Sequence, residues 1–148
     1  MTDDNEFDFF DINIEDSVEP ELLNAGDYEL QILSAELHTN EERGTKSIHV
    51  VFAAQNSGLT NPSPIHRYFG LPNADDKKET LNSKGLALKR FCKCFDIQAR
   101  ALADLITQVN GGALVGKLGE CKIDIEQPAA GSTYEPKNVI KRFNERSF

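Results

Sequence analysis

Basic and aromatic side chains are interleaved along several strand-like stretches and loops of this chain. Single-stranded nucleic acid needs cations along its phosphates and aromatic planes on which its bases stack. This interleaving therefore indicates a surface that binds single-stranded nucleic acid. Each residue is a weak signal alone, because most surface Lys and Arg side chains are only solvated. The candidate residues are Arg43, Lys46, His49, His66, Arg67, Tyr68, Lys122, Tyr134, Lys137, Lys141 and Arg142.

Signals of catalysis are few in the same sequence. It has no Gly-rich phosphate loop with its Lys, no nucleophile elbow and no cluster with metal-ligand spacing. Asp124 and Glu126 share one side of a predicted strand, but two acids alone do not make a nuclease site. We therefore expect a protein that is not an enzyme and that uses neither a metal nor a cofactor.

Cysteine usage and hydropathy indicate the cellular compartment of the protein. The chain has three cysteines, an odd number that argues against a disulfide framework and favours buried thiols. Its first residues are acidic, whereas a secretory signal needs a basic start followed by an apolar stretch. No run of about 18 apolar residues is present, so no membrane partner is expected. These features predict a cytoplasmic protein.

Charge is distributed unevenly along the chain. The formal net charge is −8, yet residues 1–24 contain nine of the 24 acidic residues and no Lys or Arg. Residues 25–148 therefore carry 16 basic and 15 acidic residues, a balance that permits a local basic face. The acidity of residues 1–24 predicts a mobile arm. Its aromatic residues Phe7, Phe9 and Phe10 are candidates for recruiting partner proteins. Its negative charge is a candidate for competing with DNA for the basic face.

The elements that must position the candidate residues follow from hydrophobic periodicity. Tyr28, Leu30 and Ile32 alternate with polar residues, and the apolar parity then shifts to Leu33 and Ala35, which predicts a bulge or bend within one long strand. Four further stretches alternate in the same way, and spacings of three and four mark a helical segment. The predicted strands cover 28–37, 47–52, 65–69, 121–125 and 139–143, and the helical segment consists of two stretches, 81–95 and 102–109.

Three strands, a helical segment and two strands match the order of an OB-fold, a partly open Greek-key barrel. We therefore predict a mainly β fold with α, namely a five-stranded OB-like barrel with the helical segment between strands 3 and 4. Residues 1–24 form the acidic arm and residues 25–148 the binding domain. The alternative is a twisted open sheet with helices packed on one face.

Several short motifs also resemble a known group of sequences. They are DFFD at 8–11, LLNAGDYE at 22–29, GTK at 44–46, RYF at 67–69, LKRFCKCF at 88–95 and NVIKRF at 138–143. Together they resemble a phage-encoded family of small uncharacterised proteins from replication and recombination modules. The resemblance implies an OB-fold single-stranded DNA-binding protein in the host cytoplasm. It also implies a gene that lies near those of recombinases, helicases or nucleases. That the acidic arm binds a phage recombinase, helicase or polymerase is a separate hypothesis.

Three functional hypotheses follow from these observations. The leading one is sequence-independent binding of single-stranded DNA in phage replication and recombination. The alternative is an acidic protein-interaction module, adaptor or inhibitor without DNA affinity, and it is motivated by the charge of residues 1–24. A metal-dependent nuclease is the third, and the sequence supplies least for it. The exposed strand edges of such a fold also allow a homo-oligomer.

Overall fold

The fold is described by a computed structural model for residue 14 and for residues 19–131 and 135–144. Five strands and two helices follow one another along these ranges. They are β1 (Gly26–Asn40), β2 (Thr45–Ala54), β3 (Ile65–Gly70), α1 (Lys78–Cys94), α2 (Leu102–Asn110), β4 (Leu118–Glu126) and β5 (Lys137–Phe143). The predicted strand order and the helical position between β3 and β4 are thereby confirmed, and the helical segment consists of two helices.

All five strands form one antiparallel sheet in the order β3-β2-β1-β4-β5. The predicted closure into a barrel is wrong, because β3 and β5 are the two edges and no ladder joins them. The rings of Phe69 and Phe143 stack across this seam with their centroids 5.8 Å apart, and Phe91 of α1 packs against both. Side-chain packing, and not backbone pairing, therefore fills the space between the two edges.

The predicted bend in the first strand is confirmed as a β-bulge. β1 pairs with β4 through its first half and with β2 through its second half, and the β1–β2 register shifts between Ile32 and Ser34. Leu33, the extra residue, is 47% exposed, whereas Ile32 is buried. A bulge bends the strand and increases its twist, so one strand can serve both halves of the sheet.

The core lies between the inner face of the sheet and the two helices. Ile48, Val50 and Phe52 alternate inward along β2 and are fully buried. From the other side α1 contributes Phe91, whose ring lies 6.2 Å from that of Phe52, and α2 contributes Leu105. This apolar cluster holds the helices against the sheet, and the outer face of β1, β2 and β3 is left for polar side chains.

The chain just before β1 also packs onto this body. Leu23 is fully buried, and the side chain of Asn138 binds both of its backbone groups: Oδ1 accepts from the Leu23 N–H at 2.8 Å and Nδ2 donates to the Leu23 carbonyl at 2.9 Å. Glu21 bridges to Pro62. The division into an arm and a domain stays a prediction, while Leu23 contributes to the core of the body.

Two glycines allow a matched test of how closely β4 approaches α1. A Cβ at Gly119 would lie 2.9 Å from the Cys94 carbonyl oxygen and Sγ and from a Phe95 ring carbon, whereas a Cβ at Gly85 would meet nothing within 4 Å. We expect Gly119→Ala to lower the free energy of unfolding by about 1–3 kcal/mol through overpacking. Gly85→Ala should raise it by about 0.5–1 kcal/mol, because Gly is a poor helix former. Urea unfolding midpoints measure both changes, and equal shifts for the two variants would contradict this packing.

Candidate nucleic-acid interface

The outer face of β2 and β3 carries aromatic side chains because the inner face is committed to the core. Ile48 and Val50 point inward, so His49 between them points outward. On β3 the buried residues are Ile65 and Phe69, which leaves His66 and Tyr68 on the outer side. Alternation alone does not decide whether Tyr68 or Phe69 faces the core, because both are aromatic; the structure buries Phe69 and exposes half of Tyr68.

These side chains form one stacked group, the histidine–tyrosine array, which consists of His38, His49, His66 and Tyr68. His49 lies directly opposite Tyr68 in the strand register, and their rings are nearly parallel with centroids 4.2 Å apart. His66 stacks beside His49 at 5.2 Å, and His38 meets Tyr68 edge-on at 5.4 Å. All three histidines of the chain thus lie in one array on the outer face.

A hydrogen bond joins two members of the array. His49 Nε2 and His66 Nδ1 are 2.9 Å apart, so one nitrogen must donate and the other accept. The pKa of His49 is lowered from its usual 6.5, first by burial, then by the charges of His66 and His38, while Glu36 acts in the opposite direction. The array is therefore an aromatic surface whose central ring resists protonation.

A second group of candidate residues lines a cleft at the seam between β3 and β5. Arg67 points to the side of β3 opposite to His66 and Tyr68, and its guanidinium carbon lies 5.0 Å from the centroid of the Phe69 ring. The cleft has a volume of about 820 Å³, and its wall includes Ala87, Ile140 and Phe143. We call it the basic cleft after its five cations, Arg67, Arg90, Lys122, Lys141 and Arg142.

Few carboxylates balance these cations. Lys141 Nζ lies 3.9 Å from Asp124 Oδ2, and both side chains are largely exposed, so this pair is weak. Arg142 Nε donates to Asn144 Oδ1 at 3.2 Å. Among residues 19–131 and 135–144, no carboxylate lies within 4.0 Å of the charged groups of the other four cations. The cleft therefore has an excess of positive charge in a protein whose net charge is negative.

The remaining candidates lie outside these two groups or outside the described residues. Arg43 and Lys46 are exposed where the β1–β2 loop meets β2. Lys137, at the start of β5, lies 3.8 Å from Glu126 in an exposed ion pair. Tyr134 lies outside the described residues, as do Phe7, Phe9 and Phe10. The structure thus brings together His49, His66 and Tyr68 in one place, and Arg67, Lys122, Lys141 and Arg142 in another.

Two members of these groups were missed by the sequence reasoning. His38 lies just beyond the first predicted strand, 28–37, but β1 continues to Asn40 and places its ring against Tyr68. Arg90 lies in the predicted helical segment and is not among the candidate residues, yet it lines the basic cleft. Its position just before the buried Phe91 was the available signal, because a neighbour of a core residue lies at the margin of the packed helix face.

The search for other chemistry and for relatives gave negative results. Among the described residues, no group of three or more His, Cys, Asp or Glu side chains could hold a metal ion. Of the helices in these ranges, neither is long and apolar enough to cross a membrane. No protein-family model matches the sequence, and no curated protein matches it significantly. The array and the cleft are therefore the features of this chain that bear on its function.

The array predicts a pH dependence of stability. Since the pKa of His49 is lower in the folded protein than its usual 6.5, the unfolded chain binds more protons below that pH. The contribution of His49 is thus intact above pH 6.5 and is lost as the pH falls from 6.5 through the folded pKa. We expect urea unfolding midpoints to fall less between pH of about 7.5 and 5.5 in His49→Gln than in the parent protein.

The comparison contains its own control, because the carboxylates contribute the same pH dependence to both proteins. The groups that face His49 are His66 on β3 and His38 and Glu36 on β1, and all are unchanged in the variant. Parallel pH profiles for the two proteins would show that the array does not hold His49 in its neutral form.

Proposed function

We propose that this protein binds single-stranded DNA largely independently of sequence, without catalysis, in phage replication and recombination. The observation that carries the proposal is the histidine–tyrosine array on the outer face of β2 and β3. This row of aromatic rings, of which His38, His66 and Tyr68 are exposed, offers stacking planes to unpaired bases, and every base has a π-face that can use them. Stacking does not read base edges, which is the reason to expect little dependence on sequence.

The arrangement of strands supports the proposal. We assign the chain to the OB-type folds, in a form whose seam between β3 and β5 is open. β1 is bent and shared between the two halves of the sheet, and the helices connect β3 to β4. OB-folds bind oligonucleotides on the face of strands 2 and 3, beside the loops between strands 1 and 2 and between strands 4 and 5. The array occupies the equivalent face here.

The charges of the described residues support the same function. Arg43 lies in the β1–β2 loop and Lys46 at the start of β2, three residues before His49. The cations of the basic cleft lie on the opposite side of the edge strand β3 from Tyr68. A strand that stacks on the array therefore has cations on both sides for its phosphates. Such contacts release counterions, so we expect the affinity to fall steeply with salt.

The acidic protein-interaction module is the second candidate, and the charge of residues 1–24 favours it. Phe7, Phe9 and Phe10 would then bind a phage recombinase, helicase or polymerase, a role that is compatible with DNA binding by the body. A nuclease has less support, because Asp124 and Glu126 each lie within 4.0 Å of a lysine on β5. Their oxygens form solvated ion pairs across β4 and β5.

The array gives the proposal a direct test. We expect Tyr68→Ala to weaken binding of a fluorescent oligo-thymidine strand by about ten-fold, because stacking contributes about 1–3 kcal/mol per base. Tyr68→Phe keeps the ring and should bind within about two-fold of the parent protein on the same grounds. Fluorescence anisotropy at low and moderate salt measures both variants of the full chain.

A duplex of the same sequence serves as the ligand control, and urea unfolding of each variant as the control for folding. Equal affinity of Tyr68→Ala and Tyr68→Phe would show that bases do not stack here. If the parent protein binds no strand at low salt, the DNA proposal is wrong and the acidic module becomes the leading function.

A further inference from the structure

The array and the basic cleft lie on opposite sides of a single strand. Along β3, His66 and Tyr68 point to one side and Arg67, between them, points to the other. β3 is an edge of the sheet, and β2 is its only partner in the ladder of described residues. The path from the stacking surface to the cleft therefore crosses the unpaired backbone of one strand.

The cleft concentrates like charges that the fold alone does not need. Its five cations come from four elements, and Lys122 lies directly opposite Arg142 in the β4–β5 register. Like charges placed directly opposite on neighbouring strands are destabilising. Among the described residues, no carboxylate lies within 4.0 Å of the charged groups of Lys122 and Arg142. The same holds for Arg67 and Arg90 on the other walls of the cleft. Such an arrangement costs stability in the free protein and is relieved when a polyanion enters.

The acids at the margin of the cleft are already engaged. Asp124 faces Lys141 from β4 at 3.9 Å. Asn144, which lines the cleft, donates from Nδ2 to Glu120 Oε1 at 2.9 Å and to Asp27 Oδ1 at 3.1 Å. These two hydrogen bonds hold both carboxylates beside Asn144. The apolar wall of Ala87, Ile140 and Phe143 suits the sugar rings of a nucleic acid backbone. Walls of low polarity also strengthen the field of the cations inside a cleft.

We propose that the basic cleft binds the sugar–phosphate backbone of the same DNA strand whose bases stack on the array. This inference rests on the proposed function. The strand leaves the outer face, turns over the free edge of β3 and enters the cleft between β3, α1 and β5. A duplex has a persistence length of about 50 nm and cannot make such a turn, whereas a single strand can. The turn thus selects single strands by stiffness.

The test removes two cleft cations that are remote from the array. We expect Lys122→Gln/Arg142→Gln to bind a strand of about twelve thymidines about ten-fold more weakly than the parent protein does. A strand of about four thymidines reaches only the array, so the variant and the parent should bind it equally. These lengths fall within the roughly 4–16 nucleotides that an OB-fold covers. The slope of log affinity against log salt should flatten by about 1.4, because each lost single-strand phosphate contact removes about 0.7.

The control variant loses the same charge elsewhere. Lys93→Gln/Arg100→Gln removes two exposed cations that line a separate groove between α1 and α2, and should leave both the affinity and the salt slope near those of the parent. Arg90→Gln is a second cleft variant on a different element, in case the double variant folds poorly. Relief of the like-charge pair should also raise the urea midpoint of the free double variant.

The outcomes separate the two proposals. If Tyr68→Ala weakens binding but the cleft variant matches the control variant on the long strand, the cleft inference is wrong and the proposed function stands. An equal loss on short and long strands would also overturn the inference, since it would indicate a general effect of charge. Tight binding of a duplex by the parent protein that is lost in the cleft variant would contradict the proposed turn of the DNA strand over the edge of β3. Absence of any strand binding by the parent protein would overturn both proposals.

Discussion

The bulge in β1 is the constraint on which the rest of the structure depends. If β1 ran through Leu33 in regular alternation, without the bulge, the side chains beyond it would change faces, because strand side chains alternate with a period of two. Ala35 would then leave the core, and Glu36 and His38 would leave the outer face. The bulge also turns β1 from its pairing with β4 to its pairing with β2. One inserted residue thus sets both the curvature of the sheet and the composition of its outer surface.

The sequence predicts much of the fold because its periodicities are local. The alternation of Ile48, Val50 and Phe52 places His49 outward, and the parity shift near Leu33 marks the bulge. In β3 the same reasoning is ambiguous, since aromatic residues stand at both parities and Arg67 shares the parity of the buried residues. Only pairing with β2 decides that Phe69 packs inward. The seam between β3 and β5 is filled by long-range packing of Phe69, Phe91 and Phe143 and not by a ladder, which no local pattern reveals.

The site was predicted less completely than the fold for a related reason. Residue types indicated a strand-binding surface but could not divide it into an array and a cleft. Parity alone separates Arg67 from His66 and Tyr68, so that part was available in the sequence. Arg90 joins the cleft through the packing of α1 on the seam, and His38 joins the array through the register of β1 with β2. Both depend on contacts between elements that are distant in sequence.

The open seam links the fold to the proposed chemistry. If β3 and β5 were paired, their ladder would close the seam at which the basic cleft opens and which Arg67 lines. The open edge thus exposes unpaired backbone, a liability that proteins usually cover or charge. Here the edge is bordered by cations, which discourage pairing with a second copy of the same edge through mutual repulsion. Under the proposed function the same cations attract a polyanion, so one arrangement of charge would both protect the edge and supply the binding surface.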